Sequence, residues 1–380
     1  MRHIGLDVHT DKTMMAWVDD ATGEVASRPY EVPTHKVAEV LAAMPGPQRV
    51  ALEVSGVALF LARELKSLGL ETLVVDAFKS SRLLEARHRA KTDRLDAQSL
   101  MECLVDGQLD NLTVWVADEQ TQRLRNLTRT REDLLEHTNA LRCQIRALLG
   151  REGERCPAGN LLGKRLSRRL DEIETRLVPE TALCLREYRT SLQALRESMR
   201  RLEATIREST RGHAAVQRLK TLFGCATLTA VTLVAEIGDI TRFADARHLR
   251  SYAGVTPTVR QSGNRSVTGP LTKHGNPHLR RILVLLAQQF TRYLHGHDCP
   301  MARRYRRCKG RRGPNPAKVA MARDLCDLIF AMWRDEQDFD PARLGVVPPG
   351  VDPAEGGGRS APPAPGRRSA GVPRAATAGA

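Results

Sequence analysis

Aromatic residues are scarce in this chain of 380 residues, where Phe, Trp and Tyr together make up 4%. This scarcity disfavours a surface that binds single-stranded nucleic acid by stacking bases on aromatic rings. No window contains the roughly 18–20 consecutive apolar residues that a membrane-spanning helix needs, and neither end carries a lipidation signal. A strand pattern begins at once, so there is no room for a secretory signal peptide. We therefore expect a cytoplasmic protein that has no membrane partner.

The chain also lacks any cysteine pattern, and its charge is strongly one-sided. Its eight cysteines include no CxxC pair and no regular spacing, which favours free thiols in a reducing compartment. The net charge is +15 and the pI is near 9.9, with arginine in excess. Because the guanidinium group suits bidentate contact with phosphate, this excess indicates a nucleic-acid partner.

Four carboxylates are the most informative residues. Asp7 and Glu53 each end an apolar run of strand type, whereas Asp93 and Asp96 lie three residues apart and share one face of a predicted helix. An acid at a buried strand end is costly unless it is paired or bound to metal. Oxygen ligands suit Mg²⁺, and clustered carboxylates hold the metals that drive displacement at phosphate. The sequence thus predicts a site for Mg²⁺ (or Mn²⁺).

The pattern along the chain predicts four regions. Residues 1–112 carry three hairpin-linked strands followed by alternating helices and strands, the order of an α/β fold of the RNase H type. Residues 118–212 carry a heptad seam that fits an antiparallel helical hairpin or an intermolecular coiled coil. Residues 215–338 are mainly helical and begin with two short helices around a tight turn, like a helix-hairpin-helix element. Residues 345–380 are rich in Pro, Gly, Ala and Arg and predict a disordered tail.

A second group of candidates lies in the C-terminal half. Ser262 precedes Gly263 in a Gly-rich, basic stretch that we interpret as a flexible loop, flanked by Arg260 and Arg265. A serine there can be a nucleophile for a phosphodiester, but Ser-Gly is also ordinary turn chemistry, and spacing alone favours the turn. The arginine-rich run at residues 303–312 predicts a basic patch that binds nucleic acid.

Taken together, the motifs resemble the IS110 family of insertion-sequence transposases, which are DEDD recombinases related to the Piv/MooV invertases. The resemblance extends over roughly residues 2–335. The matching segments are residues 4–9, 52–56, 91–97, 233–240, 252–257, 261–263, 273–276 and 317–323. The turn around Gly224 departs from the family pattern because it lacks a second glycine, and the tail lies outside that pattern.

The resemblance implies an RNase H/RuvC-like N-terminal domain in which Asp7, Glu53, Asp93 and Asp96 bind Mg²⁺. It implies a C-terminal transposase domain whose serine nucleophile, by position in the Ser-Gly motif, is Ser262, with Ser266 as the rival. That serine would form a transient phosphoserine bond to DNA. The resemblance further implies a structured guide RNA that selects target and donor sites.

The resulting hypothesis is a transposase that cuts and rejoins DNA ends, working as a dimer or tetramer joined through the heptad region. Basic side chains would position phosphate oxygens: Arg260, Arg265, Lys273, Arg280, Arg281, Arg304 and Arg307. One alternative is a structure-selective nuclease of the Holliday-junction type, which would use the acids alone with water as nucleophile. The other is a non-enzymatic nucleic-acid scaffold in which the acids are merely structural.

Overall fold

A computed structural model of the protein describes residues 1–87, 92–156, 159–262, 265–271 and 274–345. Within the predicted tail it therefore describes only Gly345. Seven strands are present: β1 Arg2–Val8, β2 Thr13–Asp19, β3 Val25–Tyr30, β4 Gln48–Glu53, β5 Glu71–Val75, β6 Pro257–Ser262 and β7 Arg265–Leu271.

Thirteen α-helices make up most of the remainder of these residues. They are α1 Thr34–Ala42, α2 Gly56–Ser67, α3 Ala77–Arg87, α4 Asp93–Val105, α5 Glu119–Arg151, α6 Lys164–Glu174, α7 Pro179–Ser209, α8 Ala214–Lys220, α9 Thr227–Ile237, α10 Ala246–Ala253, α11 Pro277–Tyr293, α12 Pro300–Arg312 and α13 Pro314–Arg334.

The first five strands form one mixed sheet in the order β3-β2-β1-β4-β5. The pairs β1–β2 and β2–β3 are antiparallel, as expected for hairpins, whereas β1–β4 and β4–β5 are parallel. Helices α1 and α2 bury their apolar faces against one side of the sheet. Helix α4 covers the other side. The prediction of an α/β N-terminal region followed by a mainly helical part is confirmed.

Helix α4 approaches the sheet closely because a row of small residues lies beneath it. Gly5 on β1 pairs with Ala16 on β2 and with Ala51 on β4, so three neighbouring strands present almost no side chain at this level. A Cβ atom at Gly5 would overlap the carbonyl oxygen of Ala97 and lie 2.5 Å from the Met101 nitrogen. Only glycine allows this packing, and the packing fixes where α4 begins relative to the end of β1.

The long helices α5 and α7 form an antiparallel hairpin within the chain, one of the two arrangements that the heptad seam allowed. Arg131 Nε lies 2.7 Å from Glu203 Oε1 toward the open end of the pair. At the other end Ile145 and Leu149 share an apolar cluster with Leu185. The short helix α6 also packs into this cluster; its 11 residues are too few for the sequence to show a heptad repeat.

The C-terminal half packs α8, α9, α11 and α13 around one apolar core. The two short helices predicted around a tight turn correspond to α8 and α9, and their likeness to a helix-hairpin-helix element stays a prediction. The interpretation of the Ser262 segment as a flexible loop was wrong, because β6 and β7 form an antiparallel hairpin there. The register places Val259 opposite Thr268, and both are β-branched residue types, which favour strands. The nearby glycines had concealed that signal.

Two expectations from composition can be compared with this structure. All eight cysteines are free, as expected. Cys225 is buried, which raises the pKa of its thiol to about 12, so it is not a reactive thiolate. Within the described residues, no helix combines the length and the apolar character required to cross a membrane.

The glycine under α4 can be tested by substitution. We expect Gly5→Ala to lower the free energy of unfolding by about 2–3 kcal/mol, because its Cβ has to displace the backbone of α4. Gly150→Ala is the matched control: it lies in helix α5, where an added Cβ meets nothing within 4 Å, and should stabilise by about 0.5–1 kcal/mol. Urea unfolding of the three proteins measures both values, and equal effects would contradict the packing argument.

Candidate active site

Asp7 lies near the C-terminal end of β1, on the face of the sheet that α4 covers. It has the same strand parity as Gly5, so the Asp7 side chain points to the face on which Gly5 meets α4. The carboxylate is half-buried, with 24% of the side chain exposed. Its Oδ2 lies 3.3 Å from Nε2 of His9, which follows in the turn between β1 and β2.

The other two aspartates lie in the first turn of α4. Thr92 caps this helix, because its hydroxyl accepts a hydrogen bond from the Leu95 nitrogen at 3.3 Å. Asp93 and Asp96 follow, at the end where the helix dipole favours negative charge. Lys12 donates to Asp93 Oδ2 at 3.0 Å, and this hydrogen bond lowers the pKa of the Asp93 carboxyl. A basic side chain therefore belongs to the site.

The cluster has the character of a cation site. Ligand atoms of Asp7, His9 and Asp93 all lie within 4.8 Å of one another. Burial raises the pKa of Asp7; His9 opposes this rise, while the nearby negative charges of Asp93 and Asp96 add to it. A divalent cation would relieve this repulsion, and the two carboxylates offer the oxygen ligands that Mg²⁺ and Mn²⁺ prefer. The residues present therefore fit the divalent metal that the sequence predicts.

The four predicted acids are not equally close. Glu53 ends β4, which runs parallel to β1 with Leu52 opposite Leu6, so it stands at the neighbouring strand end, beside the level of Asp7. Its side chain is exposed, and neither Glu53 nor Asp96 belongs to the tight group. The structure brings Asp7 and Asp93 together and places the other two acids around them.

Sequence reasoning missed two side chains of the site, His9 and Lys12. Both lie in the short connection between β1 and β2, directly after the strand that carries Asp7. Polar residues that follow a strand-end acid in a tight hairpin are held near it, and this signal was available in the sequence. The pairing of Lys12 with Asp93 could not be predicted from the sequence, since the two residues lie 81 positions apart.

The predicted serine occupies the end of the hairpin formed by β6 and β7. Ser262 is the last residue of β6, and its register partner is Arg265, the first residue of β7. The side chains of Ser262, Ser266, Arg260 and Arg265 lie outside the described part of the structure, and Lys273 lies outside the described residues altogether. Their roles remain predictions.

Behind this hairpin, a buried carboxylate joins four helical segments. Glu236 on α9 is fully buried, and Arg129 of α5 binds it through two hydrogen bonds of 2.8 and 2.7 Å. Asn276, which caps α11, donates to the same carboxylate at 2.7 Å and to the Tyr252 hydroxyl of α10 at 3.2 Å. Arg125 binds the Glu236 carbonyl at 3.1 Å. Three of the family-like segments therefore converge on one polar contact.

Trp115 connects this contact to the N-terminal sheet. It lies in a short segment that pairs with the edge of the sheet, where the Val114 nitrogen donates to the Val74 carbonyl at 2.8 Å. The Arg242 guanidinium lies 4.5 Å from the centre of the Trp115 ring. A side chain at Gly238 would overlap the same ring. The two halves of the chain thus meet through a cation–π contact next to Glu236.

Two arginines of α11 that the sequence predicts to contact phosphate have partners within the protein. Arg281 forms ion pairs with Glu132 and Glu136 of α5. Arg280 lies against the turn that ends α10, because a Cβ at Gly254 would overlap its guanidinium. Both side chains help to hold α11 in place, and their contact with nucleic acid remains a prediction.

Helix α12 carries two further arginines that the sequence predicts to contact phosphate. Arg304 forms an ion pair with Asp324 of α13 at 2.6 Å, although more than half of its side chain is exposed. Arg307 is exposed, and among the described residues no carboxylate pairs with it. Among the predicted arginines whose side chains the structure describes, Arg307 is therefore the one whose charge is most clearly available to a partner.

Replacing Asp7 should separate stability from metal binding. The raised pKa of Asp7 means that its ionised form destabilises the metal-free fold at neutral pH, and acidification through that pKa relieves the penalty. We expect Asp7→Asn to raise the melting temperature without metal and to abolish the stabilisation that Mg²⁺ gives the folded protein. For the wild type, Mg²⁺ at 100 times its Kd should raise the free energy of unfolding by about 2.7 kcal/mol.

Asp19→Asn is the matched control. A backbone hydrogen bond from Ala21, with help from Arg2, lowers the pKa of Asp19, so its loss should not raise the melting temperature. An Asp7→Asn protein that melts below the wild type without metal, or that Mg²⁺ still stabilises, would contradict this account of the cluster.

Removing the buried charge at Glu236 should be costly. Burial opposes its ionisation, but hydrogen bonds from Arg129 and Asn276 outweigh burial and hold the pKa of Glu236 below its ordinary value. We expect Glu236→Gln to lower the free energy of unfolding by about 3 kcal/mol, against at most about 1 kcal/mol for Glu203→Gln in a partly exposed pair.

The same carboxylate should contribute to acid sensitivity. A depressed pKa stabilises the fold above the unfolded pKa, and this contribution is lost as pH falls through the folded value, which lies below 4.5. The difference in unfolding free energy between the wild type and Glu236→Gln should thus be constant from neutral pH to about pH 5 and shrink below it. Urea titrations at several pH values measure it, and a difference that grows in acid would overturn the assignment.

Two family sequence profiles match the chain. The sequence profile of the IS110 DEDD transposases matches residues 4–152, the part that holds the acidic cluster. The profile of the transposase IS116/IS110/IS902 family matches residues 216–305, the part that holds Glu236 and the hairpin.

Three relatives match most of the chain. The chain is 26% identical over 351 residues to a Pseudomonas aeruginosa protein named "Probable family 20 transposase", covering 90% of this chain and 99% of that one. It is 25% identical to the transposase for insertion sequence element IS1111A of Coxiella burnetii, with 76% and 79% covered. For the transposase of IS1328 from Yersinia enterocolitica, the identity is 25%, with 78% and 86% covered. The chain belongs to the IS110 family of transposases.

Proposed function

We propose that this transposase cuts and rejoins insertion-sequence DNA by phosphoryl transfer at a site that combines the acidic cluster with Ser262. The observation that carries the proposal is the convergence of Asp7, His9 and Asp93 from two distant segments at one sheet edge. A cluster of like charges costs stability, and a protein keeps one where chemistry requires it.

In this proposal Asp7 and Asp93 hold Mg²⁺ (or Mn²⁺), with Glu53 and Asp96 completing an RNase H/RuvC-like quartet. When bound, the cation neutralises charge at the scissile phosphate and activates an oxygen nucleophile. The protein itself fixes the positions of the side chains around the cation. The close packing of α4 on Gly5 sets the distance between Asp7 and Asp93. Lys12, held at Asp93, offers an ammonium group to a phosphate oxygen.

Ser262 supplies the covalent step. Its Oγ attacks the phosphorus, the bond from phosphorus to one DNA oxygen breaks, and that oxygen takes up a proton while the serine loses one. The phosphoserine bond conserves the energy of the phosphodiester, so a DNA hydroxyl can reverse the step on a new strand without ATP. The position of Ser262 at the end of a hairpin, next to Arg265 in register, supports this role because a basic neighbour favours phosphate.

The partners follow from charge and from the family resemblance. The net charge of +15 supports binding of element ends, target DNA and a structured guide RNA. The hairpin of α5 and α7 also offers a second helical face for a coiled-coil contact with another protomer, giving a dimer or tetramer. In such an assembly the acids of one protomer can serve the serine of another.

A covalent-trapping assay tests the proposal. Protein, Mg²⁺, element-end DNA and RNA transcribed from the flank of the element are combined and resolved on a denaturing gel. The wild type should give a protein band shifted by DNA. Ser262→Ala and Asp7→Ala should each reduce that band by at least about a hundredfold, because each removes a group that acts in the transition state.

Two variants serve as matched controls. Ser266→Ala removes a serine hydroxyl from the same hairpin, and Glu24→Gln removes an exposed acid from the opposite end of the same sheet; both should keep the band. Cleaved DNA without an adduct, unchanged in Ser262→Ala, would instead support the nuclease with water as nucleophile. Full function in an Asp7→Ala/Asp93→Ala protein would support the non-enzymatic scaffold.

A further inference from the structure

A groove of about 650 Å³ lies where the base of the β6–β7 hairpin meets α12 and α13. Its floor is aliphatic and includes Leu271, Pro316, Val319 and Ala320. The last two are partly exposed side chains on one face of α13, although the rest of that helix is packed into the core. The groove is therefore an apolar surface that the described part of the chain leaves uncovered.

Arginines surround this apolar floor. Arg304, Arg307 and Arg311 follow one another at helical spacing along the face of α12 that lines the groove, and Arg323 faces it from α13. Asp324 forms an ion pair with Arg304. Within the described residues Arg307 and Arg311 have no ion pair, and the buried Nε of Arg323 makes no hydrogen bond. The rim thus carries unbalanced positive charge.

A neighbouring face of the same helix differs. Arg303 and Arg306 both bind Asp298, with Nη atoms 2.8 Å from its carboxylate oxygens. Helix α12 therefore pairs both Arg303 and Arg306, whereas on the side of the groove Arg307 and Arg311 have no ion pair among the described residues and only Arg304 has one. This asymmetry indicates that the groove binds an anion, whose negative charge would pair with Arg307 and Arg311.

We propose that the groove holds one unstacked base of a single-stranded segment of nucleic acid, with the flanking phosphates on Arg307 and Arg311. This inference rests on the proposed function, which supplies the nucleic acid. An aliphatic floor with a guanidinium rim suits a base, because the flat ring makes van der Waals contact with the floor and stacks on arginine planes. A base inside a duplex keeps its stacking and cannot enter.

The position of the groove gives this segment a role near the cut site. Strand β6 starts at the groove with Pro257 and ends at Ser262, a distance of about 17 Å for an extended strand. The groove therefore lies several nucleotides from the serine proposed to attack. It would hold the flank of the cleaved strand in its unpaired form and leave the scissile phosphate to the hairpin end.

Binding of short fluorescent oligonucleotides to the full-length protein tests the proposal without any cleavage. Arg307→Gln/Arg311→Gln should weaken binding of a single strand about 25-fold at 0.1 M salt and reduce its logarithmic salt slope by about 1.4, the value for two phosphate contacts. The control Arg303→Gln/Arg306→Gln removes the same charge from the neighbouring face of α12 and should change affinity less than about threefold. Equal losses in the two double variants would overturn the proposal.

A second variant tests for the base and leaves the charge unchanged. The wild type should prefer oligothymidylate over an abasic strand of the same length by about tenfold, since contact with one base contributes that much. Ala320→Leu fills the floor of the groove and should remove this preference while the salt slope stays constant. Equal affinity of the wild type for the two strands would refute a base in the groove.

These outcomes are separate from those of the trapping assay. If the wild type forms no covalent product, the proposed function fails whatever the groove binds. If the wild type forms it, and Arg307→Gln/Arg311→Gln binds single strands as the wild type does, only the groove proposal fails.

Discussion

One buried carboxylate, that of Glu236, determines how the C-terminal helices meet. A buried charge without partners would cost several kcal/mol, so the fold has to bring Arg129 and Asn276 to it, and these residues come from α5 and from the start of α11. The same contact orders Tyr252 on α10. Because β6 and β7 connect α10 to α11, the hairpin that ends in Ser262 is anchored at both ends to this charge. Its position therefore depends on an ion pair far from it in sequence.

A different constraint orders the N-terminal half, where the critical feature is the lack of a side chain. Gly5 admits the backbone of α4 to the sheet, and the first turn of α4 then delivers Asp93 to Asp7. The helix dipole offsets part of the repulsion among the acids, and Lys12 offsets another part. Trp115 and Arg242 join the two halves. The protein thus consists of two preorganised parts, one acidic and one basic, whose relative position is also specified by packing.

The sequence predicted a good part of this arrangement and could not predict the rest. Alternation and apolar runs identified the strands of the N-terminal sheet, because each strand pattern is local. The strand-end position of Asp7 and the helix-start position of Asp93 were also local, so their approach was predictable. The pairing of Arg129 with Glu236 joins residues 107 apart, and no local periodicity reports it. The hairpin at Ser262 was missed because glycines outweighed its β-branched residues in the pattern.

The central claim is that Ser262 forms the covalent bond to DNA at a site assisted by the acidic cluster. Mass spectrometry of the trapped product after tryptic digestion tests it most directly, because cleavage after Arg260, Arg265 and Lys273 separates the two candidate serines. Residues 261–265 contain Ser262 alone, and residues 266–273 contain Ser266. If Ser262 is the nucleophile, the peptide of residues 261–265 carries the nucleotide mass. A nucleotide on the second peptide, or on neither, would contradict the claim.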